Sequence, residues 1–347
     1  MGETLPYKGK TALLALCGAA LCLTLPPDAE AGAYGGDPGD RGQDRSGRIA
    51  FTSDRTTGPG VDNPTGDAEI FTVDPDGGDL RQLTFNRAED FGPDYSPRGE
   101  KITFSSDRDG ATPGNDDVFS MDADGSDQRN LTRNPDADDS FPVWSPGGRR
   151  IAFTSFRDGN FEVYTMKADG SRQRNITRNP ADDSVPDWST RGRGIVFNSD
   201  RTGDFEIFRV RANGARLQNL TRTPGSNEVS PEWSPSSKRV SFASDRDGVA
   251  PFVFDIFRMR SDGSRQRNLT QTPDAIEVFS AWSPSGGRLA FDSDRREPFS
   301  GNEDVFVMDD DGSGQERISG IPGADDYAPS WQSSRGSGDG WRGQVRR

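Results

Sequence analysis

Hydrophobic positions fall in short alternating runs that return at a regular interval. Ile49-Ala50-Phe51, Ile102-Thr103-Phe104, Ile151-Ala152-Phe153, Ile195-Val196-Phe197, Val240-Ser241-Phe242 and Leu289-Ala290-Phe291 recur every 44–53 residues. Each is followed by Ser-x-Arg, ending at Arg55, Arg108, Arg157, Arg201, Arg246 and Arg295. An acid, a β-branched residue and an aromatic come next, as in Glu69-Ile70-Phe71 and Asp304-Val305-Phe306. A turn dipeptide follows: Asp-Gly at 76, 124, 169, 262 and 311, and Asn213-Gly214 in the fourth copy. Then comes Leu-Thr or Ile-Thr (Ile318-Ser319 in the last copy), and the unit closes on Tyr95, Trp144, Trp188, Trp233, Trp282 or Trp331.

Period-2 alternation bounded by Gly, Pro, Asp and Ser predicts strands, and Asp-Gly between them predicts hairpins. Four such segments per unit, in six units, predict an all-β six-bladed β-propeller of four-stranded antiparallel blades, WD-repeat-like in organisation. The first copy lacks its own Trp strand, and the last ends on an extra one, Ala328 to Trp331. The C-terminal strand is therefore expected to close the ring by completing blade one, which removes two open sheet edges.

Composition sharpens this picture. The 347 residues are 30% hydrophobic and carry a net charge of −14. Such polarity alone would suit a disordered chain, but radially packed blades give each sheet a neighbour on both faces. The acidity argues against nucleic acid as a partner, since phosphate binding needs a basic surface. With no His in the sequence, Ser–His–Asp and Cys–His catalysis and His-ligated metals are excluded.

Residues 1–31 read as a cleavable signal peptide. Lys8 and Lys10 precede the apolar run Thr11 to Leu25, which is short for a membrane span, and Ala29-Glu30-Ala31 fits a cleavage site. Both cysteines, Cys17 and Cys22, lie in that segment. The expected mature protein has no thiol and is extracytoplasmic (periplasmic or secreted), soluble and monomeric. Residues 32–46 read as a flexible linker, 47–332 as the propeller, and 333–347 as a disordered tail with four Arg against one Asp.

The repeats resemble those of the TolB-like propeller family. Trp144-Ser145-Pro146, Ser105-Ser106-Asp107-Arg108-Asp109-Gly110 and Met121-Asp122-Ala123-Asp124-Gly125-Ser126 carry the likeness, which spans roughly 47–332. It is a likeness to the propeller repeats, not to the α/β domain that precedes them in TolB. The resemblance implies a six-bladed ring outside the cytoplasm whose main business is binding other proteins.

One further pattern concerns charge. An acid lies five residues before each closing aromatic: Asp90, Asp139, Asp183, Glu228, Glu277 and Asp326. Five of these precede an Arg by 18 residues, from Asp90 to Arg108 through Glu277 to Arg295. A hairpin folded at the midpoint would bring acid and Arg to the same end, and ring closure would bring Asp326 to Arg55. The expectation is six cross-strand Arg–carboxylate pairs. Two alternatives stay open: a partner-binding ring, or six carboxylates holding a hard cation such as Ca²⁺. Surplus acids around them, including Glu89, Asp107, Asp138 and Asp200, should leave that face electronegative and attractive to a partner with a basic patch.

The segment between each Arg and the next acid has 13, 8, 4, 4, 8 and 8 residues in blades one to six. The longer loops, with Phe252, Phe254 and Phe299, form the expected partner-contact surface. Asp122 to Asp127 resembles the opening of a Ca²⁺ loop, but Arg133 stands where its Glu should be, so a hairpin turn is expected. No catalytic motif is recognisable and no cofactor is expected. These observations favour a non-enzymatic exported scaffold binding protein or peptide. The alternative is a carboxylate- and divalent-metal-dependent hydrolase or lyase acting on a glycan or lactone in the central channel.

Overall fold

The computed structural model describes residues 47–333, apart from 111–113, 251, 297, 299–301 and 321–322. The signal segment, the linker, nearly all of the tail, and Phe299 lie outside the described residues.

Each repeat forms one four-stranded antiparallel sheet, six in all. The innermost strands are Asp326–Trp331 (blade one), Asp90–Tyr95, Asp139–Trp144, Asp183–Trp188, Glu228–Trp233 and Ser280–Trp282 (blades two to six). Neighbouring inner strands touch all the way round, so the ring is closed. Blade one is completed as expected: Ile49 pairs with Trp331, and Ser53 with Asp326. The outermost strand of each blade is only two residues long, which leaves little edge for a foreign strand.

The second strand of each blade is the most buried. Ile49–Ser53 is buried at every position, and Lys101–Ser106 at all but the first. A strand alternates its side chains between two faces, and here both faces meet a neighbouring blade. Ala50 and Ile70 of blade one share a cluster with Tyr95, Ile102 and Phe104 of blade two. Within each blade the second-strand Phe faces an aromatic of the third, as Phe197 does Phe208, with ring centroids 5.6–6.2 Å apart. A chain poor in hydrophobics thus places most of its strand hydrophobics where two sheets bury them.

The turn glycines lock adjacent blades. Gly263 has φ +87°, and a Cβ there would lie 2.2 Å from the Leu220 carbonyl oxygen of the preceding blade. The same contact recurs at Gly77, Gly125, Gly170, Gly214 and Gly312, each against the Leu or Ile of the Leu-Thr pair. The two sequence signals are halves of one inter-blade contact. Asp122 pairs with Lys101 Nζ at 2.7 Å and Asp124 accepts from Ser126, so this segment is a hairpin turn.

The inner strands carry Pro93, Pro142, Pro186, Pro231 and Pro329. Proline suits an edge strand because it has no N–H to leave unpaired. Two residues past the paired acid, five inner strands bulge, with positive φ at Gly92, Phe141, Val185, Ser230 and Ala328.

Candidate functional site

The bulges are held by the preceding blade. The N–H groups of Gly92, Phe141, Val185 and Ser230 donate to Thr52, Ser105, Thr154 and Asn198. Blade five breaks the series, because Ala243 has no acceptor to offer Phe279. Asp292 of blade six substitutes from within: its Oδ1 accepts from Val278 and Phe279, and its Oδ2 from Ala328 of blade one. One carboxylate thereby does the work of two acceptors, and blade six has no bulge among its paired residues.

At the same end all six Arg–carboxylate pairs are present. Asp326 meets Arg55 and Asp90 meets Arg108, each at 2.5 Å. Asp139 meets Arg157 at 2.6 Å, Asp183 meets Arg201 at 2.7 Å, and Glu228 meets Arg246 at 3.0 Å. Glu277 pairs with Arg295. Every acid is fully buried. Each Arg also donates Nε to the Ser two residues earlier. Its guanidinium lies 4.7–5.7 Å from the centroids of the two cross-strand aromatics. The Ser-x-Arg motif is therefore one unit: the Ser orients the Arg, the rings support its flat faces, and the fork reaches the acid.

At Asp139, Asp183, Glu228 and Glu277 burial outweighs the guanidinium and raises the carboxyl. Desolvation pushes Asp139 and Asp183 up to about 6 and Glu228 to about 7, against the lowering effect of the guanidinium. Asp90 Oδ1, Asp139 Oδ1, Glu277 Oε2 and Asp326 Oδ1 are buried without a hydrogen-bond partner. Among the described residues no group of acids is arranged to hold a metal ion.

The loops between Arg and the next acid lie on this Arg face. Ala68, Asp116, Phe161, Phe205, Phe254 and Glu303 each give a carbonyl to the N–H of the next blade's paired acid. The Asp before the Arg accepts a second N–H: Asp107 from Glu89, Asp200 from Asp182, Asp245 from Asn227. In blade three Phe156 takes that place and stacks edge-on with Phe161 at 5.0 Å. Phe254 is buried in the core, and Phe252, half-buried, leans on it at 6.4 Å. Acids crowd the rim between blades two and three. Burial, then Asp138, Asp107 and Glu89, push Asp116 well above the usual carboxylate range.

A second group of acids was not evident from the repeats. In the central channel, Phe141 of blade three and Phe279 of blade six stack across the axis at 5.9 Å, with Phe91 against Phe141. Beyond this plug, toward the Trp end of the strands, lies a cavity of about 120 Å³ lined by the inner-strand prolines and by Asp94, Asp187 and Glu232. Each of these acids accepts one hydrogen bond from the backbone N–H of the next blade's Trp: Trp144, Trp233 and Trp282. Burial pushes Asp94 up to about 7. Burial and then Asp94 push Asp187 to about 8, and burial and then Asp187 push Glu232 well above its ordinary value. The signal was the residue before the closing aromatic, which is acidic in blades two, four and five and is Val143, Ala281 or Ser330 in the other three. Reading the copies as equivalents averages it away.

Residues 137–230 match the family model described as the TolB beta propeller domain. Among solved structures, the chain is similar to TolB from Acinetobacter baumannii: 19% identity, TM-score 0.67, over 84% of this chain and 68% of that one. It is also similar to a putative TolB from Agrobacterium tumefaciens: 20% identity, TM-score 0.60, over 83% and 98%. Kuenenia stuttgartiensis hydrazine synthase shares the fold at 16% identity and TM-score 0.66, over 84% of this chain and 47% of that one. At such identities these structures speak to the fold, while the sequence match speaks to the repeats. The chain folds as a six-bladed β-propeller, and its residues 137–230 match the TolB beta propeller domain family.

Proposed function

We propose that this propeller is an exported, non-enzymatic scaffold that binds a protein or peptide bearing a basic patch, through the Arg face and its longer loops. The observation that carries this reading is the distribution of charge on that face. All six Arg of the motif are committed to buried inner carboxylates, while Glu89, Asp107, Asp138 and Asp182 lie only partly buried beside them. Each motif Arg is neutralised by its own inner carboxylate, so the additional acids weight this face toward negative charge, which favours encounter with a cationic partner. Phe252, tied to the rim by its N–H bond to Asp245, supplies apolar contact next to that charge. The apolar leader of residues 11–25 supports delivery across a membrane.

The test is capture from the extracytoplasmic fraction with the wild-type chain, Asp107→Asn/Asp138→Asn and Phe252→Ala. The expected result is one partner whose binding weakens in both variants and, for the wild type, falls as salt rises. Capture that is indifferent to all three conditions would remove the Arg face from consideration.

A further inference from the structure

The face at the Trp end of the strands, opposite the Arg face, carries a charge pattern of its own. Two turns of every blade open onto it: the one between the innermost and second strands, and the one between the third and outermost strands. Where the third strand enters its turn, blades six, one and two have Asp309, Asp74 and Asp122, while blades three, four and five have Lys167, Arg211 and Arg260. Five residues on, blades one and two have Asp79 and Asp127, while blades three to five have Arg172, Arg216 and Arg265. The sign switches together at both positions and divides the ring into two contiguous halves.

These six cations are exposed, and none has an acid within ion-pair distance among the described residues. On the acidic half Arg48 touches Asp74 and Asp79, Lys101 touches Asp122, and Arg129 touches Asp127. Asp74 and Asp79 nevertheless keep 43% and 47% of their side chains in solvent. The exceptions to the division are Asp169 and Asp262 on one half and Arg98 and Arg288 on the other. The next position along the turn adds an apolar signal. In four blades it is a Gln that folds back onto a turn Gly carbonyl. In blades one and four it is Leu80 and Leu217, and Leu217 is 45% exposed.

An anionic membrane laid on this face would press against the acidic half as well as the basic one. An extended polyanion along blades three to five would leave the acidic half unused. A second copy answers both halves. Equivalent residues lie at equal distance from the ring axis. With two Trp faces together and a two-fold axis along the line between the halves, blade two meets blade three, blade six meets blade five, and blade one meets blade four. Arg211 then comes to Asp74, Arg216 to Asp79 and Leu217 to Leu80, and the symmetry makes each contact twice.

We infer that the chain forms a two-fold homodimer through its Trp faces. This replaces the monomer expected from the sequence, where charge was counted but not placed. The two Arg faces point outward in opposite directions, so the dimer offers an Arg-face partner two sites.

The experiment is sedimentation equilibrium on the full chain at about 50 and about 500 mM salt. Expected is a monomer–dimer equilibrium whose association is about tenfold or more weaker at the higher salt. Arg260→Glu/Arg267→Glu on blade five, and Asp309→Lys/Glu316→Lys at the equivalent positions of blade six, change only exposed side chains. Each variant alone should stay monomeric. An equimolar mixture should form a heterodimer, because each reversed blade then meets its complement. A wild type that stays monomeric at both salts, or dimerises indifferently to salt, would overturn the inference even if the variants fail to fold. A variant that still pairs with itself, or a mixture that stays monomeric, would also overturn it. So would open-ended growth, since a two-fold contact closes on itself. None of these outcomes bears on the Arg-face proposal, whose variants lie at the other end of the ring.

Discussion

At the residue scale the molecule rests on side chains that serve several partners at once. Arg201 holds both oxygens of Asp183 at 2.7 Å, takes Ser199 at 2.8 Å, and lies between Phe197 and Phe208. Removing it leaves a buried carboxylate without its cation. Arg201→Ala should therefore cost about 3–5 kcal/mol by denaturant unfolding. Arg201→Lys should recover little, since an ammonium neither forks nor stacks. Asp292 has a heavier load, three backbone N–H groups where Thr52 serves one. At about 1–3 kcal/mol for each orphaned buried donor, Asp292→Ala should destabilise more than Thr52→Val. Equal losses in melting temperature would refute that ranking. The Arg–acid pairs were legible in the sequence because both partners recur in every copy at constant spacing. Asp292 was not, because it compensates for Ala243 in the blade before it, and a compensation between two copies has no period. Asp94, Asp187 and Glu232 were hidden for a related reason: half the copies lack them.

At the element scale, what holds one blade to the next is mostly backbone geometry. Gly263 and Gly225 share φ +87°, yet a Cβ at Gly263 meets Leu220 and a Cβ at Gly225 meets nothing within 4 Å. Gly225→Ala should cost about 1 kcal/mol, the price of a left-handed alanine. Gly263→Ala should cost clearly more, because the hairpin must also move away from its neighbour. Equal losses in chemical denaturation would mean that this contact is slack. The strands themselves were readable from alternation and turn residues, since burial on two faces demands both. The cross-channel Phe141–Phe279 stack was not, because it joins opposite blades whose relation exists only once the ring is closed.

At the scale of the whole molecule, stability should depend on pH in an unusual direction. Asp94 and Asp292 at about 7 and Asp187 at about 8 keep their protons in the native state but lose them near pH 4 when unfolded. From about pH 4 to 8 the native state binds more protons, so stability falls as pH rises through that window. The exposed turn residues Asp124, Asp169, Asp262 and Asp311 are held low by hydrogen bonds from Ser, and their contribution fades only in stronger acid. The melting temperature should therefore be higher at pH 5 than at pH 8. Asp94→Asn/Asp187→Asn/Glu232→Gln should flatten that slope; an unchanged slope would place its origin elsewhere.

The clasp between the first and last strands has a consequence for how the chain can be rewired. Gln332 donates its N–H to the Arg48 carbonyl at 2.7 Å, so the two ends of the ring lie side by side. Asp326 and Arg55 are 271 residues apart in sequence yet in direct contact, a contact whose loop must close late and at high entropic cost. A short peptide joining residue 333 to residue 47, with new ends cut into the 56–68 loop, would turn that distant clasp into a local hairpin. The permuted chain should reach the same ring at a comparable rate, because the long closure passes to the seam between Ile49–Ser53 and Glu69–Val73.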